Sequence, residues 1–123
     1  MSMVSKILIA DDDHEMLKIL TGLLEQAGYK VIEAENGLEA VELAKKELPS
    51  LIMLDIHMPV MDGLTACRKL KADPVTKAIP VVMLTIEGSI TEIEHAIIYG
   101  AKTYITKPST KEEILKVVKS ILY

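Results

Sequence analysis

The 123-residue chain fits one domain, expected to span residues 1–123, and leaves no room for two separate cores. Half of its residues are hydrophobic and 26% are charged, a globular balance that excludes a disordered chain; with Phe and Trp absent, the core must be aliphatic. Fourteen basic against 18 acidic side chains leave a formal charge of −4, which argues against nonspecific nucleic-acid binding, a process that needs a basic stripe to displace counterions.

Ile7-Leu8-Ile9-Ala10 is a continuous aliphatic run that stops at Asp11-Asp12-Asp13 and predicts a first strand. Met16, Leu20, Leu23, Leu24 and Ala27 then recur at helical spacing, and Gly28 stops the pattern as a helix C-terminal glycine does. Lys30 to Ala34 reads as a second strand. Leu38, Val41, Ala44 and Leu48 mark a second helix, with Pro49 just beyond its end. A third run, Leu51-Ile52-Met53-Leu54, again ends in an acid, Asp55. Asp62 sits where an N-cap opens a third helix through Leu64, Cys67 and Leu70, and Asp73-Pro74 is a turn signal. The fourth run, Val81-Val82-Met83-Leu84, closes on Thr85. Ile90, Ile93 and Ile97 mark a fourth helix ending near Gly100, Lys102 to Thr106 reads as a fifth strand, and Ile114, Val117, Val118 and Ile121 mark the last helix.

Five strands and five helices therefore alternate strictly. Strands that read as unbroken apolar runs are buried on both faces, so helices should cover both sides of a parallel sheet. Right-handed crossovers leave a doubly wound, flavodoxin-like (βα)5 fold as the main candidate, with strand order 2-1-3-4-5. The lone Cys67 cannot form an internal disulfide and excludes a Cys-rich zinc site; it reads as a small core residue. With no signal-like segment and no apolar run approaching the roughly 18 residues of a membrane span, the expected setting is soluble and cytoplasmic.

In a parallel sheet all strands point their C-terminal ends toward one edge. Asp11 and Asp12 follow strand 1, Asp55 ends strand 3, Thr85 ends strand 4 and Lys107 follows strand 5, so distant positions converge on one crevice. Two carboxylates about 4 Å apart repel by about 4 kcal/mol at an effective dielectric near 20. Three of them must take up a proton, pair with a cation or bind a metal. Hard oxygen ligands with room for water suit Mg²⁺. A carboxylate, a divalent ion, a lysine and a hydroxyl are also what a phosphoryl group needs in order to move onto an aspartate.

Lys6-Ile7-Leu8-Ile9-Ala10-Asp11-Asp12-Asp13, Leu54-Asp55-Ile56-His57-Met58-Pro59-Val60-Met61-Asp62-Gly63, Met83-Leu84-Thr85 and Ile105-Thr106-Lys107-Pro108 resemble the four signature segments of response-regulator receiver domains. The resemblance runs from about Ser5 to Tyr123. It implies that Asp55 accepts a phosphoryl group from a phosphohistidine on a sensor histidine kinase or histidine phosphotransfer protein. It further implies that Asp12, Asp55 and the His57 backbone carbonyl ligate Mg²⁺ directly, that Asp11 acts through water, and that the Lys107–Pro108 bond is cis. By the same resemblance Thr85 and Tyr104 act as a switch, altering a surface of helix 4, strand 5 and helix 5 that an unknown downstream protein reads. Such a protein is not an enzyme in the ordinary sense; it catalyses only its own phosphorylation and slow dephosphorylation.

Ile86 stands where the family usually has a small residue, and its branched side chain is expected to narrow access to Asp55. His57 and Glu87 each lie two positions beyond a motif residue and are expected to tune the lifetime of the phosphoryl group. Two other readings remain. One is an aspartate-nucleophile phosphatase of the haloacid-dehalogenase type, for which Asp11-Asp12-Asp13 supplies an Asp-x-Asp, although Glu15 replaces the customary Thr or Val. The other is a nonphosphorylated interaction module on the same fold. A flavin site fits the fold but not the acids, which would repel the cofactor phosphate. No output domain is expected after the last helix, so neither direct nucleic-acid nor membrane contact is expected.

Overall fold

The computed structural model describes residues 4–86, 89–107 and 109–123. Elements alternate as β1 (Lys6–Ala10), α1 (His14–Gln26), β2 (Lys30–Ala34), α2 (Gly37–Glu47), β3 (Leu51–Asp55), α3 (Gly63–Ala72), β4 (Val81–Ile86), α4 (Ile90–Ile98), β5 (Thr103–Lys107) and α5 (Lys111–Leu122). The strands form one parallel sheet in the order β2-β1-β3-β4-β5, as the alternation predicts.

Because side chains alternate across a strand, each unbroken apolar run feeds two cores. Ile7, Ile9, Leu51, Met53, Val82, Leu84 and Ile105 face α1 and α5, where they meet Leu17, Leu20, Leu24, Ile114 and Val118. Leu8, Ala10, Ile52, Leu54, Val81 and Met83 face the other way, onto Ala40, Ala44, Ala66, Cys67, Leu70 and Ala96. Small residues dominate the helical side of this second core and let α2, α3 and α4 approach the sheet closely. Each fully buried Leu or Ile contributes about 2 kcal/mol, so the sheet centre is the stable scaffold of the molecule.

The helices start where the caps lie. Asp13 accepts from the amides of Glu15 and Met16, Asn36 from Glu39, Asp62 from Thr65 and Thr110 from Glu113. β5 begins one residue later than the apolar pattern suggests and runs through Lys107, whose backbone pairs with Ile86. Sheet pairing is a backbone property, and a lysine at the strand end does not interrupt it. The expected cis bond at Lys107–Pro108 falls outside the described residues. No helix among the described residues is long and apolar enough to cross a membrane.

The loop from β3 to α3 carries local strain. Met61 N–H donates to the Pro59 carbonyl at 2.7 Å, closing a three-residue turn around Val60, whose φ is +68°. A β-branched residue in that region is costly, by roughly 1–3 kcal/mol. Val60 is also largely exposed, so its side chain gains little from burial. Val60→Gly should therefore raise unfolding stability by about 1 kcal/mol in urea titration; a loss of stability would show that the turn is unstrained.

Candidate functional site

The strand ends bring a charged cluster together at the C-terminal edge of the sheet. Extending the alternation of side chains past β1 puts Asp11 on the same face as Ile7 and Ile9, Asp55 with Leu51 and Met53, and Lys107 with Ile105. Three charged groups from three strands thus share one face. The Lys107 ammonium lies 3.0 Å from Asp11 Oδ2 and 3.3 Å from Asp55 Oδ1, bridging the two carboxylates. Asp11 is fully buried and Asp55 only 7% exposed, whereas Asp12 is exposed. One carboxylate oxygen from each of Asp11, Asp12 and Asp55 lies within 4.8 Å of the others. These donors are hard oxygens, open to solvent on the Asp12 side, and they fit a magnesium ion that retains several waters. An open cleft lined by Asp12, His57, Met58, Pro59 and Asp62 adjoins the acids.

Asp13 has a different role. Its carboxylate caps α1, and its own amide donates to Asp11 Oδ1 at 3.0 Å, fixing the Asp11 side chain. The second acid of an Asp-x-Asp phosphatase motif is thereby engaged by backbone. On the far side of the loop, Gly63 N–H donates to the Ile56 carbonyl at 2.7 Å. A Cβ at Gly63 would overlap the Asp55 carbonyl oxygen, so only glycine lets α3 start this close to the site.

Burial and then the Asp11 charge push the Asp55 carboxyl up to about 6, against the opposing pull of Lys107. Burial works to lower the Lys107 ammonium, but Asp11 and Asp55 outweigh it and raise it above the ordinary lysine value. Lys107 is therefore a permanent countercharge at neutral pH, and Asp55 is a carboxylate held ionised at a cost.

Thr85 is buried near the end of β4. It pairs with Thr106, falls on the opposite face of the sheet from Asp55, and its hydroxyl donates to the Ile86 carbonyl at 3.2 Å. Among the described residues it makes no hydrogen bond to the acidic cluster. Tyr104, paired with Met83, lies toward the same α4 side as Thr85 and is 44% exposed. Ile86, expected to narrow access, is exposed at the end of β4 opposite Lys107. Met58 is buried and Met61 half-buried, both packed against the core on the α2-α3 side. Sequence reading missed the partner of His57: its imidazole reaches away to Glu92 of α4, with Nε2 to Oε2 at 2.9 Å. Helical spacing shows that Glu92 is on α4 but carries no signal of which loop it faces. Glu87 lies outside the described residues.

Residues 7–119 match the family model for the response regulator receiver domain. The chain is 39% identical over 119 residues to protein PilH of Pseudomonas aeruginosa, covering 97% of this chain and 98% of that one. It is 42% identical over 117 residues to the DNA-binding dual master transcriptional regulator RpaA of Synechocystis, covering 95% of this chain but only 48% of RpaA. The structure of the chemotaxis protein CheY4 of Vibrio cholerae superposes with a TM-score of 0.91 at 30% identity, covering 97% of this chain and 99% of that one.

An ionised Asp55 destabilises the fold because its pKa rises on folding. That penalty is complete above about pH 6 and vanishes below the unfolded value near 3.8. Asp55→Asn should therefore stabilise the metal-free protein by about 3 kcal/mol at pH 7, and most of the gain should disappear near pH 4 in denaturant titrations. Equal stability at both pH values would show that Asp55 ionises without strain.

Proposed function

Because the chain belongs to the response-regulator receiver domain family of two-component signalling, we propose that Asp55 is its phosphoacceptor. The donor is a phosphohistidine on a sensor histidine kinase or histidine phosphotransfer protein. The observation that carries this reading is the Lys107 ammonium held 3.3 Å from an Asp55 carboxylate that is largely buried at the rim of the sheet. An Asp55 oxygen attacks phosphorus in line, an O–P bond forms as the N–P bond breaks, and the histidine leaves as imidazole. Lys107 is placed to draw toward the phosphoryl oxygens as Asp55 becomes an acyl phosphate. Asp11, Asp12 and Asp55, with the His57 backbone carbonyl, would hold Mg²⁺, which when bound neutralises charge on the transferring group.

The signal leaves through the α4-β5-α5 face. Thr85 gives up the Ile86 carbonyl to donate to the phosphoryl group, and Tyr104 turns into the space on the α4 side. Ile90, Ile97, Ile98 and Tyr104 are exposed on or beside that face and offer an apolar surface to a downstream protein. This is a local charge change biasing a two-state surface. The chain acts as a switch that catalyses only its own phosphorylation and slow dephosphorylation, in the cytoplasm.

Beryllofluoride or acetyl phosphate with Mg²⁺ should produce a spectral change in the wild type and in Asp73→Asn, and none in Asp55→Asn. No response in any of them would favour an inert interaction module, and turnover on a small phosphoester would favour a phosphatase. Asp12→Ala should weaken Mg²⁺ binding and labelling together, by about tenfold or more. Unchanged magnesium affinity in calorimetry would remove Asp12 from the ligand set.

A further inference from the structure

We infer that Gly37, in the first turn of α2, is a positioning residue for the Asp55 site, setting the loop that follows β3 by having no side chain. This rests on the proposed Mg²⁺ site around Asp55 and extends it to an element that contributes no ligand. Gly37 is buried, and its N–H donates to the Met61 carbonyl at 2.8 Å. A Cβ there would overlap the Met61 carbonyl oxygen and lie 2.9 Å from the Asp62 carbonyl oxygen. Both are backbone atoms, so neither can rotate away as the tip of a side chain would. Gly37 has no positive φ among the described residues, so glycine is required for space and not for backbone freedom.

The loop is held at both ends by contacts of this kind. Gly63 N–H fixes the Ile56 carbonyl at 2.7 Å, and Gly37 N–H fixes Met61. Between these two clamps lie His57, whose carbonyl is assigned to the metal, and Val60 in its strained turn at φ +68°. A strained turn persists only when its surroundings over-determine it. A methyl group at Gly37 would push Met61 and Asp62 away from α2. With Ile56 anchored, the displacement falls on residues 57–60. Magnesium demands near-ideal octahedral geometry, so shifting one oxygen donor by a few tenths of an ångström weakens it disproportionately. Gly37 thus acts on the metal through backbone contacts alone.

The test compares Gly37→Ala with Asn36→Ala. The second variant removes the N-cap of the same helix, where Asn36 accepts from Glu39 N–H at 2.8 Å, without pushing the loop. Titration with MgCl₂ should show affinity about tenfold weaker in Gly37→Ala, with acetyl phosphate labelling restored at saturating Mg²⁺. Asn36→Ala should lose thermal stability yet bind Mg²⁺ like the wild type. Wild-type affinity in Gly37→Ala, or an equal loss in Asn36→Ala, would overturn the inference. A wild type that fails to bind Mg²⁺ would overturn the Asp55 reading as well, and that outcome is visible before any variant is made. Should Gly37→Ala not fold, the wild type supplies a second measurement by linkage. Saturating Mg²⁺ and beryllofluoride should slow exchange of the Gly37 amide about tenfold relative to the Ala40 amide of the same helix. An unchanged ratio would contradict the coupling.

Discussion

The Lys107 ammonium, 3.0 Å from Asp11 and 3.3 Å from Asp55, is the interaction on which the rest of the site depends. Burying two carboxylates side by side is unfavourable, and a single shared cation only partly offsets it. Asp55 still feels burial and the Asp11 charge enough to rise to about 6. The site is therefore a place of stored electrostatic repulsion, with one oxygen-rich side open to water at Asp12. A divalent cation would relieve that repulsion, whereas a phosphoryl group would add negative charge and draw on Lys107 as a countercharge.

The scaffold is what makes such crowding tolerable. β1 and β3 are entirely buried apart from Lys6 at the start of β1 and the slight exposure of Asp55, and their apolar side chains lock the register that sets Asp11 and Asp55 side by side. A one-residue slip of either strand would carry its acid to the opposite face of the sheet. The loop after β3 is the less stable complement: a strained turn at Val60, pinned by glycine contacts to α2 and α3, and joined to α4 through His57 and Glu92. Rigid strands fix the charges, while this loop can respond to what binds them.

The strand order and the gathering of Asp11, Asp12, Asp55 and Lys107 were legible in the sequence because they follow from short-range pattern plus topology. An unbroken run such as Leu51–Leu54 demands burial on both faces, and parallel strands put their terminal residues on one edge. Other features depend on contacts that no local pattern encodes. The hydroxyl of Thr85 turns to its neighbour's carbonyl, a choice of rotamer rather than of residue type. Val60 reads as an ordinary loop residue until the Pro59–Met61 hydrogen bond forces its φ positive. The helical pattern from Leu38 onward says nothing of Gly37, whose reason for being glycine lies across the molecule at Met61. The Asp11-Asp12-Asp13 run shows no local signal that the Asp13 carboxylate caps α1.

Proton release on Mg²⁺ binding tests the charge crowding most directly. If the ion binds the ionised cluster and Asp55 titrates near 6, binding at pH 6 must expel about half a proton per ion, falling to nearly none at pH 8. Calorimetry at pH 6 in buffers of differing ionisation enthalpy measures that number. Binding without proton release at pH 6 would mean that the acids are not crowded in the way described, and would contradict the account.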